Sequence, residues 1–179
     1  MDKFAQLLGN LDKELWLQAI LKNLINIGSK FMERNEFESV CAFALSCYAS
    51  HRFRDRKPFN PILGETFEFQ QGNIQYFSEK ISHEPLIIAT HTIGETFEFW
   101  NCFKIQTQLK GISVEVSLQG KNHLKIFSTG HLYEWNRANT VIRSNLGQKS
   151  IEINGTVAIA ETTEKRHSAE IKFKSSSFF

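Results

Sequence analysis

Three side chains of this 179-residue chain are suited to holding an anion: Lys57, Ser82 and His83. Lys57 lies in HRFRDRKPFNPILGE, His51–Glu65. Pro58 and Pro61 each lock one backbone angle and remove one donor. Lys57 and Asn60, each preceding a proline, are pushed toward extended geometry. A rigid loop follows, with Lys57 at a defined place beside the apolar Phe59, Ile62 and Leu63. The same residues also suit a solvated basic turn leading into a strand. Ser82 and His83 lie in EKISHEPLIIA, Glu79–Ala89. Both could donate hydrogen bonds to an anion, and a phosphate would favour the charged imidazole. The spacing equally fits a turn histidine capped by local backbone.

Other chemistries find little support. There is no Gly-x-Ser-x-Gly elbow, Gly-rich phosphate loop or His-Glu-x-x-His helix. Ser82, His83 and Glu84 are consecutive, and neighbours on an extended chain point to opposite faces, so they form no triad. His83, Glu84 and His91 lack metal-ligand spacing. No enzyme activity, metal or cofactor is expected. The three cysteines, Cys41, Cys47 and Cys102, are an odd set and read as reduced, mostly buried thiols of a cytoplasmic protein. A net charge of +2, with Asp55 diluting the run HRFRDRK, argues against a nucleic-acid binder. No apolar run approaches a membrane span, and MDKFAQLLGN has none of the parts of a signal peptide.

These residues must be carried by a phenylalanine-rich framework: 16 Phe against three Trp and three Tyr. The rings can fill a core or line a cavity for an apolar ligand. The first fifty residues carry helical spacing. Phe4, Leu7, Leu8 and Leu11 predict a short first helix. A second begins near Asp12 and stops near Gly28. A third spans about Glu36–His51, burying Phe37, Val40, Cys41, Ala44, Leu45 and Tyr48. From Pro61 the period changes to two, as in Ile112, Val114, Val116 and Leu118. Turn signals separate such runs at Gln71-Gly72-Asn73, Lys110-Gly111, Gly120-Lys121-Asn122 and Thr129-Gly130. About nine or ten short strands in an antiparallel meander, curled or closed into a barrel, are expected. GETFEF occurs twice, at Gly64–Phe69 and Gly94–Phe99, in unlike contexts. Six residues are too few for a repeat unit, so the copies read as two independent half-buried strands.

KPFNPILGETFE, Lys57–Glu68, resembles the hallmark of the oxysterol-binding protein family of lipid transfer proteins. EKISHEPLIIA is similar to that family's second signature, Glu-Gln/Lys-x-Ser-His-His-Pro-Pro, and AFALSCYASHRFR, Ala42–Arg54, resembles the approach to the first. The likeness runs from about Glu36 to the end. It implies a single domain over residues 1–179 of α+β class, mainly antiparallel β. The fold would be a partial or incomplete β-barrel around an apolar tunnel, preceded by N-terminal helices over about 1–52. It further implies binding of a sterol or phospholipid and its transfer between membranes, coupled to phosphatidylinositol 4-phosphate in many members. The protein would act in the cytoplasm, peripherally at membranes. By this resemblance Lys57, Asn60, Ser82 and His83 hold the lipid head group, while Phe59, Ile62 and Leu63 flank the tunnel mouth. Two departures stand out. The second histidine is Glu84 and the second proline is Leu86. The chain also ends near where the family's domain continues, which implies about half of such a domain. A non-transferring lipid sensor, a membrane-docking scaffold, or a fragment needing a partner chain are the competing readings.

Overall fold

The computed structural model describes residues 36–49, 59–145 and 148–173. The first two expected helices, Lys57 and Pro58 lie outside them. The chain divides into two compact units, Met1–Pro61 and Ile62–Phe179.

In the first unit, α1 spans Glu36–Ala49. Glu36 and Glu38 sit in its first turn, where carboxylates complement the helix dipole. Val40, Phe43 and Ala44 are its buried stripe, while Phe37, Cys41, Leu45 and Tyr48 are half-buried. Phe43, absent from the expected face, joins it because i+3 and i+4 both follow Val40 on one side of a helix. Ser46 Oγ donates to the Phe43 carbonyl at 2.7 Å. Burial, with Glu38 nearby, pushes the Cys41 thiol up, away from the reactive thiolate. None of the three cysteines is disulfide-bonded.

The second unit is one antiparallel sheet of ten strands among the described residues: β1 (Thr66–Gln71), β2 (Ile74–Ser82), β3 (Leu86–Ile93), β4 (Phe97–Lys110), β5 (Ser113–Gln119), β6 (Asn122–Ile126), β7 (Leu132–Trp135), β8 (Asn139–Asn145), β9 (Gln148–Glu161) and β10 (Ser168–Phe173). Strands β1 to β4 follow one another as a meander. Strand β4 then pairs with both β5 and β6, and β9 with both β7 and β8. Three expected turns are tight reversals, with Gly72, Gly111 and Gly130 at φ of 57°, 61° and 75°. Only glycine adopts such angles without cost.

The fourth turn signal, at Gly120, marks no reversal. Lys104 pairs with Gln119 and Asn101 with Asn122, so β5 and β6 continue in one register along β4. Gly120 takes φ 139°, and a Cβ there would lie 2.3 Å from the Cys102 carbonyl oxygen. The strand bends by passing its backbone against β4, which only glycine allows. Beyond the bend β5 leaves with β8 and β6 with β7. Among the described residues β1 and β10 do not pair with each other. Over the described residues the barrel-like sheet is open, in keeping with the expected partial barrel.

Cross-strand partners share a face, and register assigns the buried side. Phe97, Phe99, Phe103, Leu124, Tyr133, Trp135 and Ile159 lie on it. Phe99 and Trp135 stack at 5.8 Å between centroids. Each such side chain contributes roughly 1.5–3 kcal/mol on removal from water. The two GETFEF copies are separate strand segments. In both, the phenylalanines share a face. Phe67 and Phe69 are half-buried on edge strand β1, whereas Phe97 and Phe99 are buried on central strand β4.

Candidate functional site

The site begins with a turn. The Ile62 N–H donates to Glu65 Oε2 at 2.8 Å, and the Glu65 N–H donates to the Ile62 carbonyl at 3.0 Å. This closes Ile62–Glu65 around Gly64, at φ 75°. The closed turn presents Ile62 and Leu63 to solvent at 74% and 61% exposure. The Gly64 N–H then donates to the Lys80 carbonyl at 2.9 Å, and the Lys80 N–H to the Glu65 carbonyl at 3.2 Å. These two bonds extend the β1–β2 ladder, which starts at Thr66–Glu79. Segments sixteen residues apart in sequence, each singled out above for its chemistry, thus lie side by side.

At the end of β2 the register with β3 shifts between Lys80 and Ser82. A bulge of this kind re-aims the side chains that follow. Lys80 is buried at 3% exposure, Ile81 is exposed at 45%, and Ser82 is half-buried opposite Ile87. His83, Glu84 and Pro85 form an exposed turn with a cis Glu84–Pro85 bond. The Lys80 ammonium lies 2.8 Å from His83 Nδ1.

Of the expected site residues, Ile62, Leu63, Ser82 and His83 therefore gather around the Gly64–Lys80 pairing. Phe59 and Asn60 are exposed and belong to the first unit. Lys57 lies outside the described residues. Sequence reasoning missed Lys80 as a partner of His83. Its signal was present, since the second signature admits Gln or Lys at that position.

It also missed a polar rung on the buried face. Ser78 pairs with Thr90, Thr90 with Asn101, and Asn101 with Asn122, so four short polar side chains cross four strands in register. Asn122 is 1% exposed. Its Nδ2 donates to the Trp135 carbonyl at 3.5 Å, and its Oδ1 has no partner among the described residues. Arg137, in the break between β7 and β8, sets its guanidinium 5.5 Å from the Phe103 ring centroid. Its buried Nε likewise lacks an acceptor among the described residues. Burial pushes the Tyr76 hydroxyl up, against the opposing pull of Ser78 and Arg137. The readable signal was Asn122 at the parity of buried Leu124 and Ile126.

The opposite face of β1–β3 carries an open groove of about 540 Å³, lined in part by Glu68, Gln70, Phe77, His91 and Ile93. Its His91 Nε2 lies 2.8 Å from Glu98 Oε1. Phe69, Tyr76, Phe77 and Ile93 give this open lining an apolar share about equal to its polar one. The buried face combines aromatic rows with polar side chains, since by register Lys80, Thr92 and Glu161 lie on it beside the Asn122 rung.

Comparison with known proteins agrees with this geometry. The chain is 33% identical to oxysterol-binding protein-related protein 1D of Arabidopsis thaliana over 97% of its own length and 22% of that protein's. It is 37% identical to oxysterol-binding protein-related protein 3 of Mus musculus over 75% of its length and 16% of the relative's. The chain thus spans about a fifth of these relatives. Among solved structures, the Osh3 ORD of Saccharomyces cerevisiae in complex with PI(4)P superposes with a TM-score of 0.80 at 24% identity, covering 92% of this chain and 45% of that one. The Osh1 ORD domain in complex with cholesterol gives 0.72 at 27% identity, covering 82% and 38%. With the oxysterol-binding protein family model matching residues 10–179, the chain belongs to that family.

Proposed function

We propose that this chain binds a sterol or phospholipid and moves it between membranes, as part of one lipid-binding domain that includes residues 1–179. The observation that carries the reading is the hydrogen-bonded pairing of the Ile62–Glu65 turn with Lys80, beside Ser82 and His83. Lys57, Asn60, Ser82 and His83 hold the head group, including that of phosphatidylinositol 4-phosphate. Phe59, Ile62 and Leu63 flank the mouth through which the lipid passes. The ligand's apolar body lies along the buried aromatic face, and a sterol hydroxyl meets the Asn122 rung. The solved Osh3 and Osh1 domains, with PI(4)P, cholesterol and ergosterol bound, support this choice of ligands.

No covalent step is involved, and the chain is not an enzyme in this reading. The barrier to lipid movement is exposure of apolar surface to water, about 25 cal/mol per Å². A face lined with Phe, Ile and Leu resembles the bilayer interior, so loaded and membrane states lie close in free energy and both loading and release proceed. The protein works in the cytoplasm, peripherally at membranes. Among the described residues no helix is long and apolar enough to cross one.

The test is transfer of a fluorescent sterol between donor and acceptor vesicles, with and without phosphatidylinositol 4-phosphate in the acceptor. Lys57→Ala and His83→Ala abolish the phosphoinositide-dependent part while far-UV circular dichroism is retained. Undiminished exchange in both variants removes these residues from the site. A second reading, a non-transferring lipid sensor, is favoured by the exposed Glu84 carboxylate beside His83, which weakens phosphate binding. It predicts stoichiometric sterol binding without catalytic transfer.

A further inference from the structure

The Lys80–His83 contact assigns a role beyond the family's head-group residues, and it rests on the head-group reading above. A lysine ammonium has three donors and no acceptor. At 2.8 Å from His83 Nδ1 it leaves that nitrogen only one role, acceptor, and the ring proton of a neutral histidine then sits on Nε2. Lys80 is buried and His83 is exposed. The ring is therefore held from its Nδ1 edge by the protein, and its Nε2–H edge faces away from Lys80.

The meeting depends on the bulge. On a regular strand residues 80 and 83 point to opposite faces. The register shift between Lys80 and Ser82, followed by the turn at His83–Pro85, brings the two side chains together. The backbone of Lys80 is itself fixed by both hydrogen bonds from the Gly64–Glu65 turn. One residue therefore ties the first motif, through its main chain, to the histidine of the second, through its side chain.

We infer that Lys80 is a positioning residue of the head-group site: it holds His83 in the Nε2–H form and aims that N–H at a phosphate oxygen of the bound head group. Glu84, the residue that follows, supplies no donor when ionised. His83 is then the sole imidazole of its motif, and its orientation matters more than in a paired-histidine site.

The experiment uses the full chain labelled with ¹³C and ¹⁵N at histidine. In the lipid-free protein His83 shows the Nε2–H tautomer. Lys80→Met replaces this by averaged ring signals, whereas Lys80→Arg, which keeps the donors, retains the wild-type pattern. A wild-type His83 carrying its proton on Nδ1, or an unchanged ring in Lys80→Met, overturns the inference without reference to lipid. In a second arm, phosphatidylcholine vesicles doped with phosphatidylinositol 4-phosphate are titrated. Lys80→Met binds them about tenfold more weakly, the effect of one misplaced charge-assisted hydrogen bond. Inorganic phosphate that shifts the His83 signals and is displaced by these vesicles supports the phosphate contact. A perturbed ring with unchanged vesicle binding overturns the head-group reading instead, leaving Lys80 as the residue that orients His83.

Discussion

Replacing Gly120 with alanine tests the bend on which the buried face depends. The backbone there takes φ 139°, and the new Cβ would lie 2.3 Å from the Cys102 carbonyl oxygen and 3.1 Å from Phe103 Cδ1. The carbonyl lies between Asn101 and Lys104, both paired in register across the bend, so it has little room to retreat. Backbone strain of this class costs about 1–3 kcal/mol. Adding the contact gives a destabilisation of about 3–4 kcal/mol, at the upper end for a single substitution. Gly64→Ala is the control. Its φ is 75°, but no atom lies within 4 Å of the new Cβ, so only the left-handed penalty of about 1–2 kcal/mol applies. The difference between the two variants isolates the clash. Urea unfolding followed by tryptophan fluorescence reads both. With a slope of about 2 kcal/mol per molar, Gly120→Ala lowers the midpoint by about 1.5–2 M and Gly64→Ala by less than about 1 M. Equal midpoints for the two variants would refute the claim that β5 and β6 are one strand bent against β4.

Glu161 and Asn122 are buried polar residues with opposite expectations. The Glu161 carboxylate accepts the N–H of Glu164 at 2.7 Å and of Arg166 at 3.1 Å, closing the β9–β10 connection. Burial pushes its carboxyl up, but the backbone donors of Glu164, Arg166 and Thr163 outweigh it and the net shift is downward. A lowered folded value means the stabilisation is complete above the unfolded value of about 4.3 and fades as pH falls through the folded one. Glu161→Gln therefore loses about 1–3 kcal/mol at neutral pH, and the gap narrows in acid. Thermal melts across that range check it, and a gap independent of pH contradicts it. Asn122→Leu removes a buried acceptor that has no partner among the described residues. Stability rises by about 1 kcal/mol while uptake of a fluorescent sterol falls about tenfold. Unchanged sterol uptake would show that the rung does not touch the ligand.

The legible part of this protein was the local part. Period-two runs, the glycines at 72, 111 and 130, and the parity of Phe67 with Phe69 and of Phe97 with Phe99 follow from backbone sterics within a few residues. The motifs containing Lys57 and His83 were legible for the same reason, as contiguous residue types. Gly120 was misread because a glycine signals backbone freedom, and neighbouring chain decides whether that freedom makes a reversal or a bend. Phe43 was missed because helical spacing leaves two adjacent residues to choose between, and tertiary packing makes the choice.

By itself the sequence determined that there would be an antiparallel meander, where most of its strands reverse, and which family's motifs it carries. Only the tertiary structure decided that β4 meets both β5 and β6, that Gly64 meets Lys80, that Lys80 reaches His83, and that Ser78, Thr90, Asn101 and Asn122 form one rung. Those facts depend on register between strands distant in the chain. A slip of one residue in that register would send each side chain to the opposite face.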